Sequence, residues 1–429
     1  MMEKKRVLVC SVSCWNKYAA SDTFPLLLEG YGASYVANLY IRNEIPDSPV
    51  CKNYFCISEN AVIKSILNRK IKTGRKVFAK QEEAKSSGDE FAVINRLYQN
   101  NVNKRRYLLL YAREILWKLG CWKSKELDAF LDEFKPDTVF FVMEGYIHLN
   151  RISRYILKRT GAKGVGYFWD DNFTYKQSNS LGYKIYRFFQ RRDLKKSAKM
   201  CSNFFAITPK TKKEADEFFG INCEVLTKPI DYKDAQYEKP QPSLPLKMLY
   251  TGKLIIGRFD TVKLIGEALD EINKNDVKIE LDVYTTTVLD EKMKSELSPY
   301  VHILGAIPQT EVEKVQKEAD VLLFAEAIAG KKSKAARLSF STKLTDYFRS
   351  GKCILAVGNE ETAPMEYLKE EDAAIIASDK EGLINALLQM TENLQLVSDY
   401  GEKAYECGKK NHDKEMIQKR LFNVLNGEK

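Results

Sequence analysis

From about residue 247 onward, short β-rich runs alternate with helical patterns of six to fourteen residues. Parallel strands cannot be joined by a tight turn and need a crossover, so this alternation restricts the segment to a parallel sheet with crossover helices. Strands are expected near Lys247 to Thr251, Ile279 to Tyr284, His302 to Leu304, Asp320 to Phe324, Ile354 to Val357 and Ala374 to Ile376. Helices are expected over Asp260 to Asn273, Asp290 to Leu297, Thr310 to Glu318, Thr342 to Ser350, Pro364 to Lys369 and Lys380 to Asn393. That is the pattern of a Rossmann-like domain.

The first half repeats the alternation less cleanly, with strands expected at Arg6 to Cys10, Thr138 to Met143, Gly164 to Phe168, Phe204 to Ile207 and Glu224 to Thr227. A chain of 429 residues exceeds what one core usually organises, so two domains follow. The expected fold class is α/β, with two Rossmann-like domains whose parallel sheets face a central cleft. Its divisions are an N-terminal acceptor domain over 1–235, a proline-containing linker over 236–246, a donor domain over 247–410, and a C-terminal helix over 411–429 in position to pack back on the N-terminal domain. The helical, basic stretch from Ala79 to Leu119 reads as an insertion that shapes the acceptor side.

Composition excludes several classes. With 44% hydrophobic, 29% charged and 11% aromatic residues the chain is not disordered. Nine scattered cysteines with no C-x-x-C pair read as reduced thiols, Cys10 and Cys14 among them as core residues rather than metal ligands. The opening apolar run, Val7 to Ser11, is too short for a signal segment and reads as a buried strand, and no stretch approaches the ~20 apolar residues of a bilayer span. Gly-x-Ser-x-Gly, Gly-x4-Gly-Lys-Ser/Thr and His-Glu-x-x-His are all missing, which leaves hydrolase, P-loop and zincin chemistry without their signatures.

The net charge of +10 is unevenly distributed: residues 1–246 hold 42 Lys and Arg against 27 Asp and Glu, and residues 247–429 hold 26 against 31. No nucleic-acid motif accompanies the basic half, so nucleic acid is not an expected partner. Two stretches, Ile63 to Lys76 and Tyr183 to Lys196, mix aliphatic or aromatic residues with cations as interfacial helices do, and the same pattern fits a solvated helix face.

Two segments of the second half could bind phosphate. In Tyr250-Thr-Gly-Lys-Leu-Ile-Ile-Gly-Arg258 a strand exits through Gly252 toward Gly257, with Lys253 and Arg258 beside a helix amino terminus at Asp260. In Ser339-Phe-Ser-Thr-Lys-Leu-Thr-Asp346, Ser341 or Thr342 can cap a helix that carries Lys343 and Asp346, the hydroxyls and Lys343 suiting phosphate and Asp346 suiting ribose hydroxyls. In the first half, Glu144 and His148 follow one strand and Asp170 and Asp171 another. Carboxylates past strand ends are where α/β enzymes place working groups, and of the adjacent aspartates one is expected to meet substrate while the other caps the turn.

Taken together, the two segments of the second half resemble the donor-binding domain of family 4-like glycosyltransferases. That family has Gly-Arg-Leu with Lys five residues after the Arg; here Gly252-Lys253-Leu254 and Arg258 keep the spacing with the identities exchanged. Of the family's Glu-x7-Glu element the second acid is matched by Asp346, whereas Leu338 stands at the first; Glu326, after the strand Val321 to Phe324, is the substitute at hand. Variants reading Ser-x-Lys-Leu-x-Glu-Tyr are closer to Ser341 to Tyr347. Phe205 to Pro209, Val225 to Asp231 and Leu304 to Pro308 extend the resemblance over about 200–405.

The resemblance implies the GT-B fold and transfer of a hexose-type residue, with retention, from a nucleotide diphosphate sugar, UDP-sugar favoured, to a glycan or lipid-linked acceptor in bacterial surface polysaccharide assembly. It implies no metal and no cofactor beyond the donor. The charge pattern, separately, gives the expectation of a cytoplasmic protein whose basic half can contact the inner face of the membrane. A nucleotide-sugar 2-epimerase of the same architecture and a catalytically silent nucleotide-binding subunit are the competing readings.

Overall fold

The computed structural model describes residues 4–16, 22–79, 106–234 and 237–428. The chain divides into two compact units, one of Met1–Ile207, Thr211–Leu226 and Gln418–Lys429, the other of Thr208–Lys210 and Thr227–Ile417.

The sheet of the first unit comprises Val7–Ser11 (β1), Val36–Tyr40 (β2), Asn53–Ile57 (β3), Gly74–Val77 (β4), Thr138–Val142 (β5), Lys163–Phe168 (β6), Cys201–Ala206 (β7) and Cys223–Val225 (β8). Their order is β4-β3-β2-β1-β5-β6-β7-β8, parallel throughout except for the antiparallel β3–β4 pair. β1, β2 and β5 are buried along their whole length, as expected of inner strands of a sheet covered on both faces. β2, β3 and β4 have no counterpart among the strands expected from sequence. β2 carries Asn38 at its centre, a residue that marks turns; here it is fully buried and its amide donates to Ser11 Oγ at 2.8 Å.

The basic stretch from Ile63 to Lys76 is not an interfacial helix. The helix Glu59–Lys64 stops within it, and β4 begins at Gly74, where a Cβ would lie 2.6 Å from the Phe55 ring. The second such stretch does lie within one helix, Leu181–Ala198, whose amino end is capped by Ser180. Of the expected insertion over Ala79 to Leu119, residues 80–105 lie outside the described residues, and Arg106–Leu119 is a helix.

The sheet of the second unit comprises Leu246–Thr251 (β9), Ile279–Tyr284 (β10), Val301–Gly305 (β11), Val321–Ala325 (β12), Cys353–Val357 (β13) and Ile375–Ala377 (β14), all parallel, in the order β11-β10-β9-β12-β13-β14. Winding outward from β9 in one direction and then in the other from β12 leaves a switch point between these two strands, and ligands of such sheets bind outside the carboxyl ends there. In the first unit the corresponding point lies between β1 and β5.

The chain passes into the second unit at Thr227, ahead of the proline-containing stretch, and residues 237–240 pack on that unit. Ser398 donates to the Pro240 carbonyl at 2.5 Å, Lys239 pairs with Asp399 and Glu402, and Tyr237 stacks on Tyr405. At the other end the helix Leu394–His412 closes the second unit and a further helix, Lys414–Asn426, follows. From Gln418 onward that helix belongs to the first unit: Gln418 donates to the Leu26 and Glu29 carbonyls, Arg420 to that of Val225, and Phe422 meets Tyr31 edge-on. All nine cysteines are free, Cys10 and Cys14 buried. Among the described residues no helix is long and apolar enough to cross a membrane.

Candidate functional site

At the switch point of the second unit, β9 runs out at Thr251 and the chain turns through Gly252 (φ +143°), Ile256 (φ +56°) and Gly257 (φ +87°) into the helix Arg258–Ile272. A β-branched residue with positive φ is strained, and such strain persists only where the surroundings hold it. Gly257 packs so closely on the next strand exit that a Cβ there would lie 2.7 Å from that of Ala327.

From the exit of β12 comes Glu326, 5% exposed. Its amide donates to the Val357 carbonyl at 2.9 Å and its carbonyl accepts from Thr261 Oγ1 at 2.7 Å, so its backbone is fixed on both sides. Its Oε1 accepts from Arg258 Nη2 at 2.7 Å. The third member is Lys343, first residue of the helix Lys343–Ser350. Its Nζ donates to the Tyr250 hydroxyl at 3.1 Å, lies 4.4 Å from the centre of that ring, and rests against Gly252. Burial, reinforced by the nearby Arg258 charge and opposed by Glu326 and Asp346, brings the Lys343 ammonium down to about 7. Beside these groups is a pocket of about 110 Å³ whose walls include Arg258, Glu326, Ser339, Phe340, Ser341 and Thr362.

Of the residues read from sequence, the fold thus brings together Gly252, Arg258, Ser341 and Lys343, with Glu326. Lys253 is different: its side chain is exposed, and its carbonyl accepts from the Tyr250 hydroxyl at 2.9 Å. The two cations that share the half-buried site are therefore Arg258 and Lys343. Thr342 occupies the N-cap position of its helix without a side-chain capping bond, Asp346 is exposed in the first turn, and Leu338 is fully buried. Tyr250 was not legible as a site residue, since its neighbour Lys343 lies more than 90 positions further along the chain.

In the first unit Glu144 and Asp170 follow β5 and β6. Burial pushes the Glu144 carboxyl up to about 8, and the charge of Asp170 adds to this while Arg42 opposes it, so at neutral pH the carboxyl carries a proton. Asp170 is exposed. Asp171 is 2% exposed and caps the turn after β6, accepting from the Thr174 amide at 2.9 Å and the Thr174 hydroxyl at 2.5 Å. His148 is packed inside the unit: it is 1% exposed, its Nδ1 is 2.9 Å from Glu114 Oε1, and its ring stacks 4.5 Å from that of Trp117. Burial holds its pKa below the usual imidazole value. Arg42, which follows β2, was missed because that strand was missed.

No family model and no curated protein matches this chain. Solved structures do. Anabaena Alr3699/HepE in complex with UDP superposes with a TM-score of 0.61 at 11% identity over 98% of this chain and 100% of that one. The same protein in complex with UDP-glucose gives 0.60 at 11% over 99% and 100%. TarM gives 0.61 at 10% over 99% of each chain, and the α,α-trehalose 6-phosphate synthase of Burkholderia multivorans 0.58 at 12% over 99% of each. At such identities the likeness concerns the fold, and the fold of this chain is the α/β, two-sheet GT-B fold of these glycosyltransferase structures.

Proposed function

We propose that the protein is a family 4-like glycosyltransferase that moves a sugar, with retention, from a UDP-sugar to a glycan or lipid-linked acceptor of bacterial surface polysaccharide. The observation that carries this reading is the placement of two cations, Arg258 and Lys343, at the switch point of the second sheet, Lys343 having a hydroxyl rather than a carboxylate as its hydrogen-bond acceptor. A diphosphate supplies the missing counter-charge. The same cations stabilise it as leaving group when the bond to the sugar breaks, which requires no metal.

Asp346 is assigned to the ribose hydroxyls and the Ser341 and Thr342 hydroxyls to phosphate oxygens, with Gly252 leaving the strand exit open. On the acceptor side the exposed Asp170 carboxylate orients the attacking hydroxyl, and the protonated Glu144 beside it is a hydrogen-bond donor. Asp171 and His148 support these elements from within. HepE, crystallised with UDP and with UDP-glucose, favours uridine as the nucleoside. The helix Leu181–Ala198, with exposed Leu181, Ile185, Phe188 and Phe189 among its cations, gives the basic half a face for the anionic inner surface of the membrane.

Calorimetric titration of the purified chain with UDP, GDP, ADP and CMP, repeated with Arg258→Ala, tests the donor site. Saturable binding of UDP alone, weakened at least tenfold in the variant, is expected; no binding to any nucleotide overturns the proposal. Release of UDP from a UDP-sugar that depends on added acceptor distinguishes transfer from epimerisation, which needs no second substrate.

A further inference from the structure

We infer that Lys343 takes up a proton from solvent when a nucleoside diphosphate binds, so that donor capture is coupled to the charging of this one amine. The inference rests on the donor site proposed above. It follows from how charge is arranged around Nζ. From β9 come the Tyr250 ring and hydroxyl and the bare backbone of Gly252. From the next helix comes Arg258, from the exit of β12 comes Glu326, and on its own helix Lys343 is followed by the exposed Asp346. Glu326 is committed to Arg258 at 2.7 Å, and among the described residues Lys343 makes no ion pair.

An ammonium has three donors to satisfy, and among the described residues this one finds a single acceptor, the Tyr250 hydroxyl, in a half-buried setting beside a guanidinium. These surroundings therefore favour the neutral amine, and the low value of about 7 agrees with that geometry. A diphosphate seated between Arg258 and Lys343 reverses the balance, because it adds two or more negative charges and several acceptor oxygens at the same point. The amine then binds a proton delivered by water or buffer; no other bond forms or breaks.

The wild-type chain provides the decisive measurement. Its UDP binding heat is recorded at pH 8.0 in EPPS and in Tris, buffers of different ionisation enthalpy, where a terminal phosphate with a last pKa of about 6 is already fully ionised. From the value of about 7, uptake of about 0.9 proton per UDP is expected, with UDP affinity falling about eightfold between pH 7.5 and 8.5. Lys343→Arg, permanently charged, and Lys343→Met should both abolish the uptake, and the Met variant should also weaken binding at least tenfold. Wild-type binding with no proton uptake, or uptake that persists in both Lys343 variants, overturns the inference. No UDP binding at all overturns instead the donor site on which it rests.

Discussion

Replacing Gly252 by alanine adds one methyl group where the chain leaves β9 with φ +143°, and the new Cβ would overlap Lys343 Nζ and lie 2.5 Å from its Cε. Two separable effects follow. The backbone must hold an L residue in a conformation it rarely adopts, at a cost of about 1–3 kcal/mol in stability. Lys343, being flexible, swings away instead of clashing, so the proposed site loses one charged hydrogen bond to the diphosphate. That loss is worth about 1.5–3 kcal/mol, or about a 10- to 150-fold rise in the dissociation constant for UDP. Gly305, also in the second unit, provides the control: it has φ +80° and nothing within 4 Å of an added Cβ, so Gly305→Ala carries a similar backbone cost with no effect on the ligand. Urea denaturation measures the first effect and calorimetric titration with UDP the second. If both variants bind UDP as tightly as the wild type, Lys343 does not meet the diphosphate and the donor reading of this turn fails.

Asp171→Ala removes both acceptors of the turn after β6 and should lower stability by about 1–3 kcal/mol, whereas Asp170→Asn, at an exposed position, should lower stability less and turnover at least tenfold; equal stability losses would remove the distinction between the two aspartates. Glu144 keeps its proton to about 8 in the folded chain against 4.5 as its ordinary value, so its share of stability is fully present below about 4.5 and is lost as pH rises through about 8. Glu144→Gln should therefore flatten the fall in unfolding free energy between pH 5 and 8 in stepwise urea titrations. An unchanged slope would mean that the carboxyl is already ionised in the fold.

The second sheet was legible because its strands are short apolar runs or, as in β10, strict polar-apolar alternations, set between helical patterns. The expected Ile279 to Tyr284 coincides with β10, and the other strand bounds differ from those observed by about a residue. The helix Gly330–Ala335 was not legible, since Gly-Lys-Lys-Ser-Lys-Ala has no apolar spacing to signal it. β2 and β4 were missed for a related reason: β2 is interrupted by Asn38, whose burial is set by Ser11 elsewhere in the chain, and β4 is four residues long with Arg75 and Lys76 exposed at its centre. At the site itself, sequence proximity favoured Lys253 and Arg258 as the cation pair. Which way a side chain leaves a turn depends on the φ angles of that turn, and these direct Lys253 to solvent while Lys343 arrives from a distant helix. Glu326 was at hand in the sequence as a substitute acid after the strand Val321 to Phe324, but its pairing with Arg258 follows only from the strand order that sets β12 beside β9.

The points at which the chain changes units, Leu226/Thr227 and Ile417/Gln418, make the second unit nearly a single uninterrupted block inserted into the first. A block of this kind can complete its own core while still attached at both ends, so a fragment spanning 227–417 is the natural piece to express when donor chemistry is studied alone. The first unit has the opposite constraint. Its helix Lys414–Asn426 follows the whole of the block in the chain and must find β8 and the Leu26–Glu29 segment across that separation. Closure of the first unit on this helix thus depends on contacts separated by 195 to 392 positions, the kind whose loop-closure entropy is largest.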